Sequence, residues 1–360
     1  MVSSLGELKL VYPYYYCRHC GTGDRTWQNT LRLGTRRLTS AGEELVALAG
    51  LLSSFGEAAD KTLRKLSGMR LSESSVRRTT EDAGERLRQL LDERIVFQEP
   101  EVWDWHRDAE GHSCAYVSAD ATGVRQQGER AAKADGRMAY VGMIYNPSPV
   151  DDAGPIVDRR YLAGLYDLTD LGRQLHREAL SVGWHESEVQ IALSDGASCL
   201  EKFFTTYFPK AVLSLDFFHA AEHLAELARA LDRDEQACRQ TLSRWCTLMK
   251  QHGGHSVLAE LDKLDQTSWS TEMQEMWRKE TGYIRNNVHR MDYPFYRAKG
   301  WRIGSGPIEA ACKTVIGTRM KSAGIRWKPP STDAIAVLRA TYLSEPKRWD
   351  DFWQASYLHN

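Results

Sequence analysis

Long apolar runs are missing from this 360-residue sequence: no stretch approaches the roughly 18 uncharged residues that a membrane-spanning helix requires. Met1 to Tyr16 carries Glu7 and Lys9 among its apolar residues and lacks the layout of a secretory signal. Both absences lead to the expectation of a cytoplasmic protein. Cysteine is scarce too. The count of seven is odd, and Cys114, Cys199, Cys238, Cys246 and Cys312 stand alone inside apolar or helical stretches, which argues against a disulfide framework. Only Cys17 and Cys20 are spaced as a pair. Internal repeats and low-complexity tracts are absent. What remains is an ordinary globular composition, 42% hydrophobic and 26% charged, long enough for two or three domains.

The net charge of −1 hides an uneven distribution. Residues 1–90 hold 14 Lys+Arg against 10 Asp+Glu, and residues 297–350 hold 11 against 4, so the middle of the chain is acidic. Basic ends around an acidic middle suit a protein that grips a polyanion while holding cations, although solvated charge alone also produces such a profile.

Residues 1–38 read as a small β-rich and loop segment. In 39–98 the period becomes helical. Thr39-Ser40 with Glu43 forms a helix start, a second helix covers Phe55 to Leu66 and stops at Gly68, and Ser72 caps a third from Glu73 to about Ile95. A helix, a glycine turn and a Ser-capped helix match a helix-turn-helix, with Arg77 and Arg78 at the start of the third helix as candidate DNA contacts. An ordinary helical hairpin has the same pattern.

Strand signals follow in 112–217: Tyr116 to Asp120, Met138 to Tyr145, Arg160 to Ala163, Val189 to Asp195 and Ala211 to Leu215, with helices at Leu171 to Val182 and Cys199 to Tyr207. Three sequential strands followed by αβ units is the RNase-H-like order. Residues 218–300 read as an all-helical insertion (219–231, 234–249, 256–264 and 270–284) that ends in a polar, aromatic loop over 285–300. In 301–360, Pro307 opens a helix that runs to Lys321, and a last helix spans about Thr332 to Leu343. The expected fold class is α/β: an RNase-H-like mixed sheet with an all-α insertion.

Asp120 and Asp195 end predicted strands, where side chains project into the crevice at a sheet edge. Two facing carboxylates repel unless a cation separates them, and oxygen ligands suit Mg²⁺ or Mn²⁺. Glu309, in a helix first turn favoured by the dipole, is a candidate third ligand for two ions about 3.5–4 Å apart. Each acid alone is equally a turn or cap residue. Asp216, also at a strand end, competes with Asp195. His219 and His223, four apart on one helix face, either bind metal or support the acids. Lys313, Arg319, Lys321 and Arg326 are candidate phosphate contacts, with Trp327 as a base-stacking surface. A solvated basic face is the alternative.

Val117-Ser118-Ala119-Asp120-Ala121-Thr122-Gly123-Val124, Leu193-Ser194-Asp195-Gly196-Ala197, Leu215-Asp216-Phe217-Phe218-His219 with Glu222-His223-Leu224, and Gly304-Ser305-Gly306-Pro307-Ile308-Glu309-Ala310-Ala311-Cys312-Lys313 resemble segments of insertion-sequence transposases of the ISKra class. These are bacterial relatives of the Mutator-like enzymes. Residues 319–327 and 348–353 are similar as well, so the likeness covers nearly the whole chain. The resemblance implies a DDE triad of Asp120, Asp195 and Glu309 and two Mg²⁺ or Mn²⁺ ions. It further implies strand cleavage by water, attack of the 3′-hydroxyl on target DNA, and a dimer or larger assembly on double-stranded DNA at the bacterial nucleoid. It also implies a zinc ribbon of two cysteine pairs. Only Cys17 and Cys20 are here, so either the start truncates the protein or the site is incomplete and metal-free. A cleavage-inactive DNA-binding repressor and an RNase-H-like nuclease without strand transfer are the competing functions.

Overall fold

Thr39 opens the first long helix as its sequence requires: the hydroxyl accepts the Gly42 amide and α1 runs Ser40–Leu52. The computed structural model describes residues 2–3, 6–9, 14–24, 38–128, 134–147, 156–231, 234–267 and 269–358. Before α1 lie two short hairpins, β1 (Val2–Ser3) with β2 (Gly6–Glu7) and β3 (Tyr15–Tyr16) with β4 (Gly23–Asp24). Helix α2 spans 55–66 with a π-helical stretch at Ala58–Leu63, and Gly68 takes a positive φ of 71° just beyond it. Ser72 then accepts the Ser75 amide and starts α3, Glu73–Asp92.

The sheet has five strands: β5 (Cys114–Val124), β6 (Arg137–Pro147), β7 (Ile156–Gly164), β8 (Val189–Ser194) and β9 (Val212–Leu215). Their order is β7-β6-β5-β8-β9; the first three are antiparallel and β5, β8 and β9 are parallel. The antiparallel strands follow one another in sequence, whereas the parallel pairs need the crossover helices α4 (Leu168–Ser181) and α5 (Ser198–Tyr207). This is a mixed α/β fold in which each of the five strands overlaps a predicted one, but β5 runs four residues past the predicted end at Asp120 and β7 begins four before Arg160.

Helices follow: α6 (Phe217–Leu231), α7 (Glu235–Leu261), α8 (Thr271–Asn287) and α9 (Tyr293–Ala298). The two helices expected at 234–249 and 256–264 are both present within α7, divided at Gly253, whose φ of 80° and ψ of 176° are not helical. One prediction needs correction. The expected 285–300 loop contains a 3₁₀ turn, Val288–Arg290, and α9, capped by Asp292 with Pro294 in its first turn. Helix α10 covers 306–320 and turns π-helical at Cys312–Gly317. Helix α11 (Pro329–Leu343) is followed by α12 (Pro346–Leu358), which periodicity did not reveal.

Side chains alternate across β5, and the alternation positions the site. Ala119 pairs with Gly142, and a Cβ at Gly142 would press on Leu175 of α4. Asp120 therefore points to the opposite face, toward α10. One apolar cluster joins sheet, crossover helices, insertion and α11, and it includes Ala47, Leu51, Ala83 and Leu87 of α1 and α3. Helices 39–98 thus share the core of the sheet, with a smaller cluster of their own around Leu38, Val46, Leu63 and Val76. Among the described residues, no helix is long and apolar enough to cross a membrane.

Candidate active site

Parallel register brings the acids level. Cys114 lies opposite Val189 and Val117 opposite Ala192. Carried on three more residues, the same register sets Asp120 beside Asp195. Ser194 lies opposite Leu215, so Asp195 and Asp216 are the next pair, and the Asp216 amide donates to Ser194 O at 2.8 Å. The register, extended past the last paired residues, brings the three carboxylates toward one end of the parallel strands, whose spacing is about 4.8 Å. Asp120 and Asp195 are half-buried; Asp216 is fully buried.

The environments of the three separate their roles. Asp216 Oδ1 accepts the amides of Phe218 (3.0 Å) and Ser305 (3.1 Å), and Oδ2 accepts from the His219 ring (2.6 Å) and the Ser305 hydroxyl (2.8 Å). Burial, the largest single influence, acts to raise its pKa; the bonds from His219 and Ser305 outweigh it and hold the group below the ordinary carboxylate range. Hydrogen bonds within the protein thus occupy both oxygens. The bond to Asp216 in turn lifts His219 to about 9, so the ring is an imidazolium at neutral pH.

Asp120 is in a different state. Its Oδ1 accepts the adjacent Ala121 amide at 2.6 Å, while Oδ2 meets the buried Cys312 thiol at 3.5 Å. Burial pushes its pKa up, bonds from Ala121 and Cys312 oppose this, and the charge of Asp195 adds to the rise. A carboxylate raised by a neighbouring carboxylate in a half-buried site is what a cation between them relieves. Asp195 Oδ1 accepts the Ala197 amide at 3.0 Å, and the next amide, Gly196, donates to the Tyr283 hydroxyl at 3.0 Å.

Glu309 comes from the first turn of α10. The Ser305 hydroxyl reaches both Asp216 and Glu309 Oε1, the latter at 3.1 Å, and so ties that turn to the end of β9. Asp216, His219 and Glu309 each offer a ligand atom within 4.8 Å of the others. Asp120 and Asp195 lie outside this tight group, toward the sheet centre. Two ions about 3.5–4 Å apart, each with bonds near 2.1 Å, spread their ligands over about 8 Å, so a shared site does not require all the acids to touch.

His223 does not join His219. It pairs with Glu280 and stacks on Tyr283 with ring centroids 3.5 Å apart. Cys17 and Cys20 sit exposed at the β3–β4 turn, where the Cys20 thiol lies 2.8 Å from the Thr22 hydroxyl; hydrogen bonds from Thr22 lower its pKa to about 7.

The expected DNA contacts divide by exposure. Arg77, Arg78, Lys313, Lys321 and Arg326 are exposed, and Lys321 contacts the Thr122 hydroxyl. Arg319 and Trp327 are corrections. Arg319 is 6% exposed, lies 4.6 Å from the Phe55 ring and 4.9 Å from the Trp327 ring, and donates to Gly50 O at 3.1 Å. Trp327 is 5% exposed with its indole N–H on Met320 O. A weakly hydrated guanidinium can be buried between aromatic faces, and a buried indole presents no face to a base. Phe218 is the exposed aromatic beside the acids: it is 57% exposed and lies where a Cβ at Gly304 would be. Neither Phe218 nor the roles of Ser305 and Cys312 carried a periodic signal; they lay inside the motif segments without a distinguishing pattern.

No protein-family model and no curated protein matches the chain.

Proposed function

We propose that this chain is a DNA transposase of the DDE type, built on an RNase-H-like sheet, in which Asp120, Asp195 and Glu309 hold two divalent cations. The observation that carries this reading is that Asp120 feels the charge of Asp195 on one side and touches Cys312 of the helix bearing Glu309 on the other. The donor set fits Mg²⁺ or Mn²⁺, because it consists of carboxylate oxygens from three elements. Bound there, such ions neutralise charge on the attacking and leaving oxygens of a phosphoryl transfer.

The chain's own residues do the rest. Asp216 and Ser305 fix the turn that presents Glu309. His219 keeps a positive charge beside the acids, which favours a phosphate in the crevice. Phe218 offers a stacking surface for a base next to the scissile bond. Arg77 and Arg78 at the start of α3, together with Lys313, Lys321 and Arg326, are placed to contact backbone phosphates. The product of cleavage is a 3′-hydroxyl that attacks target DNA, with two chains or more pairing the element's ends.

The test uses labelled duplexes carrying the DNA that flanks the gene, with Mg²⁺ and target plasmid. Cleavage followed by joined product is expected, and a 3′-dideoxy end should block joining. Cleavage without joining from a 3′-hydroxyl end indicates a nuclease. Binding without cleavage indicates a repressor.

A further inference from the structure

Beyond Val124 the β5 segment continues in extended form and pairs with the stretch that follows α10. Gln126 bridges Trp327 in parallel; the Gln127 amide donates to Trp327 O at 2.8 Å and the Trp327 amide to Arg125 O at 3.1 Å. Alternation follows from this pairing. Gln126 and Trp327 are 2% and 5% exposed and face inward, so their neighbours Arg125 and Arg326 face outward, side by side. Both are exposed, and both line a cavity of about 390 Å³ with Gln127 and Gly324. An adjoining cavity of about 290 Å³ shares the two arginines, and among the described residues its lining adds Gln126, Ala134 and Gly136, with exposed Asp135 between the last two. Among the described residues, neither guanidinium forms an ion pair.

Like charges held directly opposite on paired strands destabilise them, so this arrangement favours an anion between the two forks. Planar guanidinium forks match the oxygens of a phosphodiester. Arg125 follows Asp120 by five residues, about 17 Å along the strand at 3.3 Å per residue, and alternation puts it on the opposite face from Asp120 and Thr122. Exposed Lys328, two residues past Arg326, adds to the basic patch.

We propose that Arg125 and Arg326 form a clamp for one backbone phosphate of the DNA, beyond the end of β5 and outside the crevice of Asp120, Asp195 and Glu309. The clamp rests on the proposed DNA-cleaving function, and it adds Arg125, a residue outside the candidate active site. It reads no sequence; it contributes backbone affinity and orientation.

Binding of a fluorescein-labelled mixed-sequence duplex, followed by anisotropy across a salt series, tests the clamp. Arg125→Gln and Arg326→Gln remove charge from outward-facing side chains and keep the backbone pairing, so thermal unfolding should not move. Each variant is expected to bind about 5- to 10-fold more weakly at low salt and to reduce the slope of log Kd against log salt by about 1. Unchanged slopes in both variants, with a wild-type chain that binds and cleaves DNA, overturn the clamp and leave the function standing. A wild-type chain that binds no DNA overturns both.

Discussion

Asp216 receives both the backbone amide and the hydroxyl of Ser305, at 3.1 and 2.8 Å, so the last strand of the sheet and the helix bearing Glu309 are fastened to each other through one buried carboxylate. This makes Asp216 a positioning residue. Asp216→Asn keeps the shape but loses the charge-assisted bonds to His219 and Ser305, at a cost of about 1–3 kcal/mol in folding stability. Cleavage should slow yet persist. Asp195→Asn should leave the melting temperature near wild type and abolish cleavage. The reverse pattern, with Asp216→Asn dead and Asp195→Asn active, would reassign the second acid.

Arg319 and Trp327 should behave as core residues. Trp327→Ala removes a buried indole and should destabilise by about 3–5 kcal/mol. Arg319→Ala removes a stacked plane and the donor to Gly50 O, and should destabilise by about 2 kcal/mol or more. Neither change should alter the salt slope of DNA binding at temperatures where the variant is folded. A reduced slope would return them to the DNA-contact surface.

Much of the architecture was legible because it depends on local period. The five strands and the capped helices at Thr39 and Ser72 follow from alternation and cap chemistry. The acids Asp120 and Asp195 could be singled out because both close a predicted strand, although β5 itself runs on to Val124. Their alignment could not be read in advance, since register is a property of the pairing of strands about 75 residues apart. Trp327 and Arg319 misled because they lie in a stretch with Lys321, Gly324 and Lys328 whose composition resembles surface. Only the packing of Phe55 from α2, far away in sequence, closes over them. The break at Gly253 was legible as a change of period between 249 and 256; the Gly254 amide leaves the helical ladder there and donates to Met291 O.

A buried ion network gives the fold a definite acid limit. Glu178 is bonded by Arg348 at 2.8 Å and faces Arg160 at 3.4 Å. Burial, the largest influence, acts to raise the Glu178 pKa, but the two guanidiniums outweigh it and hold the group below its ordinary value. A depressed folded-state pKa contributes stability that is present above the unfolded value, near 4.3, and is lost as pH falls through the folded value. Urea midpoints should therefore be flat near neutrality and drop below about pH 4. Glu178→Gln should flatten part of that drop while lowering neutral stability by about 3–5 kcal/mol. An unchanged acid profile in this variant would remove Glu178 from the explanation.

Gly84 marks the crossing of α3 and α11. A Cβ there would press into the Ala334 backbone. Replacing a mid-helix glycine by alanine ordinarily gains about 1 kcal/mol, but overpacking a close helix crossing costs about 1–3 kcal/mol, so Gly84→Ala should be neutral to destabilising. A melting temperature clearly above wild type would mean that the two helices can separate without cost.

The most direct test is single-turnover cleavage of a labelled duplex, with Mg²⁺ or Mn²⁺, by wild type and by Asp120→Asn, Asp195→Asn and Glu309→Gln. DNA binding by all four proteins is measured alongside. Loss of cleavage by each variant, with binding retained, is the predicted result. Cleavage at the wild-type rate by any one of the three would contradict a shared cation site formed by these carboxylates.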